Sequence, residues 1–227
     1  ISPTELIKRH AQRGDLVVAA IVGFAGIEPV VAAIEMGCDI ALANKESLVA
    51  AGQLIMELAS KKGVQIIPID SEHSAIWQCM MGENKENIRK IILTGSGGPF
   101  RELDFSDFNT ITKKDALKHP NWKMGKKITI DSATMMNKGF EMIEAYWLFQ
   151  LDPDKIEIVV HPQSIIHSMV EFIDGSIKAQ LGVPNMTIPI SFALYYPNRR
   201  NNQKFDFNFK QNNHLSFETP DLKKFRC

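Results

Sequence analysis

An α/β fold, a mainly parallel sheet flanked by helices with an added hairpin region, is predicted by three features of the chain. Apolar runs of strand length recur at residues 15–22, 39–43, 64–69 and 89–94. Segments with helical spacing lie between them, and glycines stand at the joints. Asp15 to Val22 is almost continuously apolar, the pattern of a strand buried on both faces, and turns at Gly23–Gly26. Ile27 to Met36 has helical spacing and stops at Gly37, a natural helix C-cap. Lys45 to Lys62 is a long amphipathic helix closed by Gly63, and Ser74 to Met81 is a further helix. The resulting βαβαβαβ rhythm requires crossover helices and parallel strands. Ligands of such sheets bind beyond the carboxyl ends of the strands, where Asn44-Lys45-Glu46, Asp70-Ser71-Glu72 and Gly95-Ser96-Gly97-Gly98 all fall.

Residues 99–127 lose periodicity and carry Pro99, Pro120 and Gly125, as expected of a mobile segment over a site. Met136, Phe140, Ile143 and Trp147 follow i, i+4, i+7, i+11, which predicts a helix over 134–150 and sets Asn137, Lys138 and Glu141 together on another face. Ile156–Val160, Ser168–Ile173 and Ser176–Leu181 read as strands, the last two joined by an Asp174-Gly175 turn. From Asn198 the chain is rich in Asn, Lys and Phe and reads as a linker.

Twenty-six basic residues balance 26 acidic ones in a chain of 227, so neither nucleic acid nor an anionic membrane is an expected partner. No apolar run reaches membrane-spanning length. Cys38, Cys79 and Cys227 are widely spaced and form no C-x-x-C pair, which points away from a disulfide framework or thiolate zinc site and toward a reducing compartment. The chain opens on Ile1, consistent with removal of a targeting segment or a preceding domain.

Asp70, Glu72 and Glu141 are hard oxygen donors suited to one Mg²⁺ or Mn²⁺. The alternative is equally open: Asp70 and Glu72 cap the helix at Ser74, and Glu141 is a solvated helix residue. Thr94-Gly95-Ser96-Gly97-Gly98, with Ser132, Asn137 and Lys138, could cradle a phosphate, although the glycines lack P-loop spacing. Lys45 is either a donor to a substrate oxygen or a solvated first-turn residue. His119 alone reads better as a loop histidine than as a proton-transfer group. Trp122, in a polar loop with no core to enter, makes sense closing over a ligand. His161 and His167 read as structural hydrogen-bonders, and Met80, Met81, Met135 and Met136 as packing residues.

Several long motifs go further. Ala41-Leu-Ala-Asn-Lys-Glu-Ser-Leu-Val49, Pro68-Ile-Asp-Ser-Glu-His73, Leu93-Thr-Gly-Ser-Gly-Gly-Pro-Phe-Arg101, the His119-Pro-Asn-Trp loop with its Asn137-Lys-Gly block, and His161-Pro-Gln-Ser-Ile-Ile-His167 closely resemble the 1-deoxy-D-xylulose 5-phosphate reductoisomerase family. The resemblance runs from about residue 1 to Arg199. It implies conversion of that phosphosugar to 2-C-methyl-D-erythritol 4-phosphate with NADPH and Mg²⁺ or Mn²⁺, by retro-aldol/aldol rearrangement and reduction of an aldehyde. It implies that Asp70, Glu72 and Glu141 hold the cation, that Lys45 and Ser71 contact the reacting hydroxyls, and that Ser96, Ser132, Asn137 and Lys138 contact the phosphate or nearby oxygens. His119 would lie at the closing loop, Trp122 and Met124 would cover substrate and nicotinamide, and Gly23, Asn44, Glu46 and Met186 would face the cofactor. Residues 156–181 resemble the family's dimer-forming sheet. Residues 1–43 would then end an NADPH-binding domain, 44–197 form a catalytic domain with its lid near 117–126, and 198–227 lead to a C-terminal helical domain.

No dinucleotide fingerprint precedes the first strand. The expectation is therefore the catalytic and dimerising middle of a larger enzyme, in which the fragment alone does not necessarily turn over. The Asn/Lys-rich tail favours a plastid-type organelle over a bacterial cytoplasm. Two other classes stay open: a metal-dependent phosphosugar isomerase or aldolase without a redox step, and a non-catalytic dimerising module.

Overall fold

Short buried strands lead directly into helices, and the resulting joints build the site. The computed structural model describes residues 1–122, 124–201 and 205–227. Lys123 of the expected lid and residues 202–204 of the expected linker lie outside the described residues. After α1 (Pro3–His10), the strands β1 (Leu16–Ala19), β2 (Asp39–Leu42) and β3 (Ile66–Pro68) form a parallel sheet in that order, crossed over by α2 (Ile27–Glu35) and α3 (Lys45–Lys62). Val30, Ile34, Ile40, Leu42, Leu48 and Ile55 pack into one core between helices and strands. Gly63, at φ 66°, ends α3 in the left-handed conformation that glycine adopts without strain.

Two expectations about strands need correction. β1 is not buried on both faces: it is the edge of its sheet, and Val18 is 48% exposed. The fourth apolar run does not extend this sheet. β4 (Ile88–Gly95) begins a second one, ordered β5-β4-β6-β7, with β5 (Ile156–Val160) parallel to β4 and with β6 (Ile166–Phe172) and β7 (Ile177–Leu181) antiparallel. Apolar runs mark where a strand lies but not which neighbour it pairs with.

The helix α4 (Ser71–Met80) follows β3 and packs Ile76 and Cys79 on the second sheet, beside Ile91, Leu93, Val170 and Phe172. α7 (Met136–Phe149) places Ala145 and Phe149 in this second core, while its Trp147 and Leu148 pack against the first. α7 thus joins the two layers.

The segment expected to lack order, 99–127, contains α5 (Lys113–Ala116) and runs into the start of α6 (Lys126–Ala133), and Met135, at φ 63°, turns the chain from α6 into α7. A non-glycine residue at positive φ is uncommon and marks a forced turn. α8 (Thr187–Tyr195) follows β7. The last residues are not wholly a free linker. Glu218 pairs its backbone with Val160 at 2.8 Å in both directions, and Phe225 is buried with Phe100, Ala133 and Met135.

Candidate active site

Three helix starts converge on one cavity. Asn44 caps α3 and sets Lys45 as its first residue. Asp70 caps α4, accepting from Glu72 N–H at 3.1 Å, and brings Ser71 and Glu72 into the first turn. Asn137 and Lys138 occupy the first turn of α7, with Glu141 one turn on. Helix starts carry unpaired N–H groups and the positive end of the helix dipole, so anionic groups gather there at low cost.

The cavity is about 320 Å³ and is lined by Lys45, Asp70, Ser71, Glu72, Ser96, His119, Trp122, Met124, Ser132, Asn137, Lys138, Glu141 and Met186. Every residue expected to contact substrate or cation is therefore at one place, drawn from five stretches of chain. The carboxylates of Asp70, Glu72 and Glu141 offer ligand atoms within 4.8 Å of one another. Asp70 is thus both the helix cap and a member of the trio, while the solvated reading of Glu141 fails because its side chain is fully buried.

Buried ammonium groups balance this charge. Lys138 Nζ contacts Glu141 and lies 3.2 Å from Glu72 Oε1. Lys45 Nζ, also buried rather than solvated, lies 2.5 Å from Asn137 Oδ1, 3.4 Å from Asp70 and 3.9 Å from both Glu141 and Glu144. Burial pulls the Lys45 and Lys138 ammonium groups down, but the surrounding carboxylates prevail and hold both above the ordinary lysine value. Burial alone would raise Asp70; Lys45, His73 and Lys138 instead hold it well below the usual carboxylate range. Glu141 goes the other way, pushed up to about 8 by burial, with Glu72 and Asp70 reinforcing that shift against Lys138. Fully ionised, the four carboxylates here would outnumber the two ammonium groups and one imidazole; the proton that Glu141 retains relieves that excess.

The opposite wall consists of backbone and hydroxyl groups. Ser96 Oγ accepts from Gly98 N–H at 3.2 Å and lies 3.0 Å from His119 Nε2. His119 Nδ1 accepts from the backbone N–H groups of Asn121 and Trp122 at 3.1 and 2.9 Å, so Nε2 carries the hydrogen and donates to Ser96. Burial, with Lys138 nearby, holds His119 below the ordinary imidazole value and hence neutral at pH 7. The loop-histidine reading therefore gives way to a cavity position. Gly98 lets the loop approach α6 closely: a Cβ there would stand 2.7 Å from the Ser132 carbonyl.

Trp122 faces His167, ring centroids 6.1 Å apart, and Asn121 Nδ2 donates to Pro162 O at 2.5 Å and Ser164 Oγ at 3.0 Å. The loop is thus seated on the β5–β6 connection. Asn121, Ser164 and His167 were not singled out for the site by sequence reasoning, although Ser164 and His167 both line the cavity. His161 is structural as expected, donating from Nδ1 to the Ser216 carbonyl at 2.9 Å.

A second cleft, about 380 Å³, shares Lys45 and Ile128 with the first and adds Asn44, Glu46, Lys127 and Asp131. Asn44 Nδ2 donates to Ile21 O at 2.6 Å, Gly23 O at 3.0 Å and Glu46 at 3.0 Å, which pins the loop after β1. Gly23 is half-buried, at φ 77°. Of the expected cofactor-facing residues, Asn44 and Glu46 line this cleft, while Met124 and Met186 line the first.

Three family models match the chain: 1-deoxy-D-xylulose 5-phosphate reductoisomerase over residues 4–52, its C-terminal domain over 66–149, and a DXP reductoisomerase C-terminal domain over 181–227. The 1-deoxy-D-xylulose 5-phosphate reductoisomerase of Chloroherpeton thalassium is 60% identical over 213 residues, covering 94% of this chain and 55% of that protein. The enzyme of that name from a Thermoanaerobacter species is 58% identical, covering 98% and 58%. The chain thus spans little more than half the length of these curated relatives. Both are bacterial, which does not favour the plastid-type organelle expected from the tail. A crystal structure of DOX-P reductoisomerase in complex with NADPH, fosmidomycin and magnesium superposes with a TM-score of 0.93 at 47% identity, covering 99% of this chain and 57% of that one. The Zymomonas mobilis reductoisomerase in complex with NADPH superposes with a TM-score of 0.90 at 46% identity, covering 98% and 58%. With motifs, family models and fold in agreement along its length, the chain belongs to the 1-deoxy-D-xylulose 5-phosphate reductoisomerase family.

Proposed function

We propose that this chain carries the substrate and cation site of an enzyme that isomerises and reduces 1-deoxy-D-xylulose 5-phosphate to 2-C-methyl-D-erythritol 4-phosphate, with NADPH and Mg²⁺ or Mn²⁺, in non-mevalonate isoprenoid synthesis. One observation supports this most: a carboxylate trio and a serine-lysine pole share a single cavity under Trp122. A cation needs the first, a phosphate needs the second, and a substrate carrying vicinal oxygens and a phosphate needs both.

In this reading Asp70, Glu72 and Glu141 hold the divalent cation, which when bound polarises the substrate carbonyl and stabilises developing oxyanions. The donor set fits, being all oxygen, clustered, and fully anionic once Glu141 gives up its proton. Lys45 and Ser71 orient the reacting hydroxyls. Ser96, Ser132, Asn137 and Lys138 bind the phosphate, and His119, a neutral donor through Nε2, steadies Ser96 at that pole. Trp122 and Met124 exclude water from the rearranging skeleton. The aldehyde that results is reduced by hydride, which NADPH supplies when bound on the side of Gly23, Asn44, Glu46 and Met186. The catalytic unit is residues 44–197, with its lid near 117–126; residues 1–43 belong to the NADPH-binding domain, and 198–227 lead to the C-terminal domain.

We also read the protein as a homodimer. Among the described residues β7 is an open sheet edge with Ile177 and Leu181 exposed, whereas the β5 edge is partly covered by Glu218. No helix among the described residues is long and apolar enough to cross a membrane.

The test is calorimetric titration of 1-deoxy-D-xylulose 5-phosphate into the chain with and without Mn²⁺, repeated for Asp70→Asn. Binding that requires Mn²⁺ and is lost in the variant supports the reading. Equal binding in folded Asp70→Asn, or no binding by the folded parent, sinks it for this chain.

A further inference from the structure

Behind the carboxylate trio lies a buried side chain that does not line the cavity. His73, in the first turn of α4, is fully buried. Its Nε2 stands 2.9 Å from the main-chain carbonyl of Glu141, so that nitrogen carries its hydrogen and donates. Its Nδ1 stands 3.2 Å from Asp70 Oδ1, off the line of a good hydrogen bond. Glu144, one turn beyond Glu141 on α7, is buried too; its Oε2 has no hydrogen-bond partner among the described residues, and its carboxylate belongs to the same tight group as Asp70 and His73.

One imidazole therefore touches the main chain of one carboxylate-bearing residue and the side chain of another, across two helices. Buried ring nitrogens seek partners in any fold, but both of these face residues of the trio, Nε2 the Glu141 main chain and Nδ1 the Asp70 side chain, while the ring lies 6.3 Å from Phe149. Carboxylates that hold cations are themselves oriented by buried partners, and losing such a partner weakens the ion's binding without removing a ligand.

We propose that His73 is a positioning residue: it braces α4 against α7, sets the Asp70 to Glu141 separation for the divalent cation, and is itself backed by Glu144. This rests on the reading of Asp70, Glu72 and Glu141 as the cation site.

The experiment is titration of the full chain with Mn²⁺, following free Mn²⁺ by electron paramagnetic resonance, with thermal unfolding recorded alongside. The proteins are the parent, Asp70→Asn, His73→Gln, His73→Asn and His73→Phe. Gln presents its amide where Nε2 stood and keeps the donor to Glu141; Asn presents it where Nδ1 stood and keeps the contact to Asp70. Each half-brace is expected to lower Mn²⁺ affinity by roughly 10- to 100-fold, and Phe by at least as much. Affinities within about twofold of the parent in folded Gln and Asn variants, even with a lowered Tm, overturn the proposal and leave His73 a packing residue. If no His73 variant folds, Glu144→Gln, which keeps the shape behind the ring, is judged by the same threshold. A parent that binds no Mn²⁺, or an Asp70→Asn that binds as well as the parent, overturns the cation reading itself and the brace with it.

Discussion

The aliphatic stem of Lys138 lies across Gly95, where an added Cβ would stand 2.8 Å from Lys138 Cε. The end of β4 and the start of α7 meet there without any intervening side chain. That contact holds Lys138 Nζ between Glu72 and Glu141.

Gly95→Ala should accordingly push the ammonium group off both carboxylates while leaving the strand intact, since the backbone at 95 has no positive φ. A displacement near 1 Å at a positioned group costs about 100-fold in a reacting complex. The expected outcome is a loss of that order in kcat/KM of the assembled enzyme, with Tm nearly unchanged; unaltered kinetics would remove Lys138 from the proposed site.

Gly52 is the point where α3 passes α7. A side chain there overlaps the Trp147 indole, and the preceding Ala51 already departs from helical geometry at φ −136°. Gly52→Ala is expected to destabilise the fold by about 1–3 kcal/mol, the usual range for overpacking, as read by urea unfolding. A variant as stable as the parent would mean that the two helices slide apart freely.

Glu141→Gln tests the proton that Glu141 retains. Because the carboxyl group is raised to about 8, Glu141 binds more protons in the folded chain without a cation than in the unfolded chain between the ordinary value, 4.5, and 8, and the raised Glu144 and His73 act with the same sign. Stability should fall as pH rises through that window, and Mn²⁺ should bind better as it does so. Glu141→Gln should flatten the stability slope and weaken Mn²⁺ by more than the roughly 100-fold upper range for outer partners. A variant whose stability profile still follows the parent's would place the extra proton elsewhere.

His161 gives the opposite sign. Its Nδ1 donates to Ser216 O and its Nε2 accepts from Ile165 N–H at 3.2 Å, so a second proton would set two donors face to face. Burial holds its pKa below the ordinary 6.5. Its contribution is therefore complete above about pH 6.5 and is lost as pH falls through the lower folded value. Amide protection at residues 216–218, with exchange normalised to the intrinsic rate at each pH, should fall on acidification, and His161→Phe should abolish that dependence. A loss of protection that survives the substitution would assign it to another group.

Much of the fold was legible because strand runs, glycine stops and helical spacing are local signals. α3 ends at Lys62 before Gly63, as its pattern requires, and the Asp174-Gly175 turn joins β6 to β7. Pairing was not legible: nothing in Ile88–Gly95 distinguishes a fourth parallel strand from the first strand of another sheet. α6 was hidden because its two lysines and polar residues show little apolar stripe, and its position is decided by packing against α7 and the Gly98 turn. For the site, residue type found the carboxylates but left their role open, since capping and ligation call for the same side chains. Burial separates the roles, and burial of Glu141 and Lys45 depends on contacts with residues distant along the chain. The motif resemblance named the cavity residues; it included His73 at the end of Pro68-Ile-Asp-Ser-Glu-His73 but gave it no role, and the role proposed for it rests on two distances.

Asp70 and Glu72 follow a strand of the first sheet, Ser96 follows a strand of the second, and α7 is packed on both. The cavity is consequently a seam between two separately filled cores rather than a hole in one. Anything that grips both sides must couple their unfolding, so that a chain melting in two steps when empty would melt in one when loaded. The width of that single transition would then report occupancy of the seam, independently of turnover.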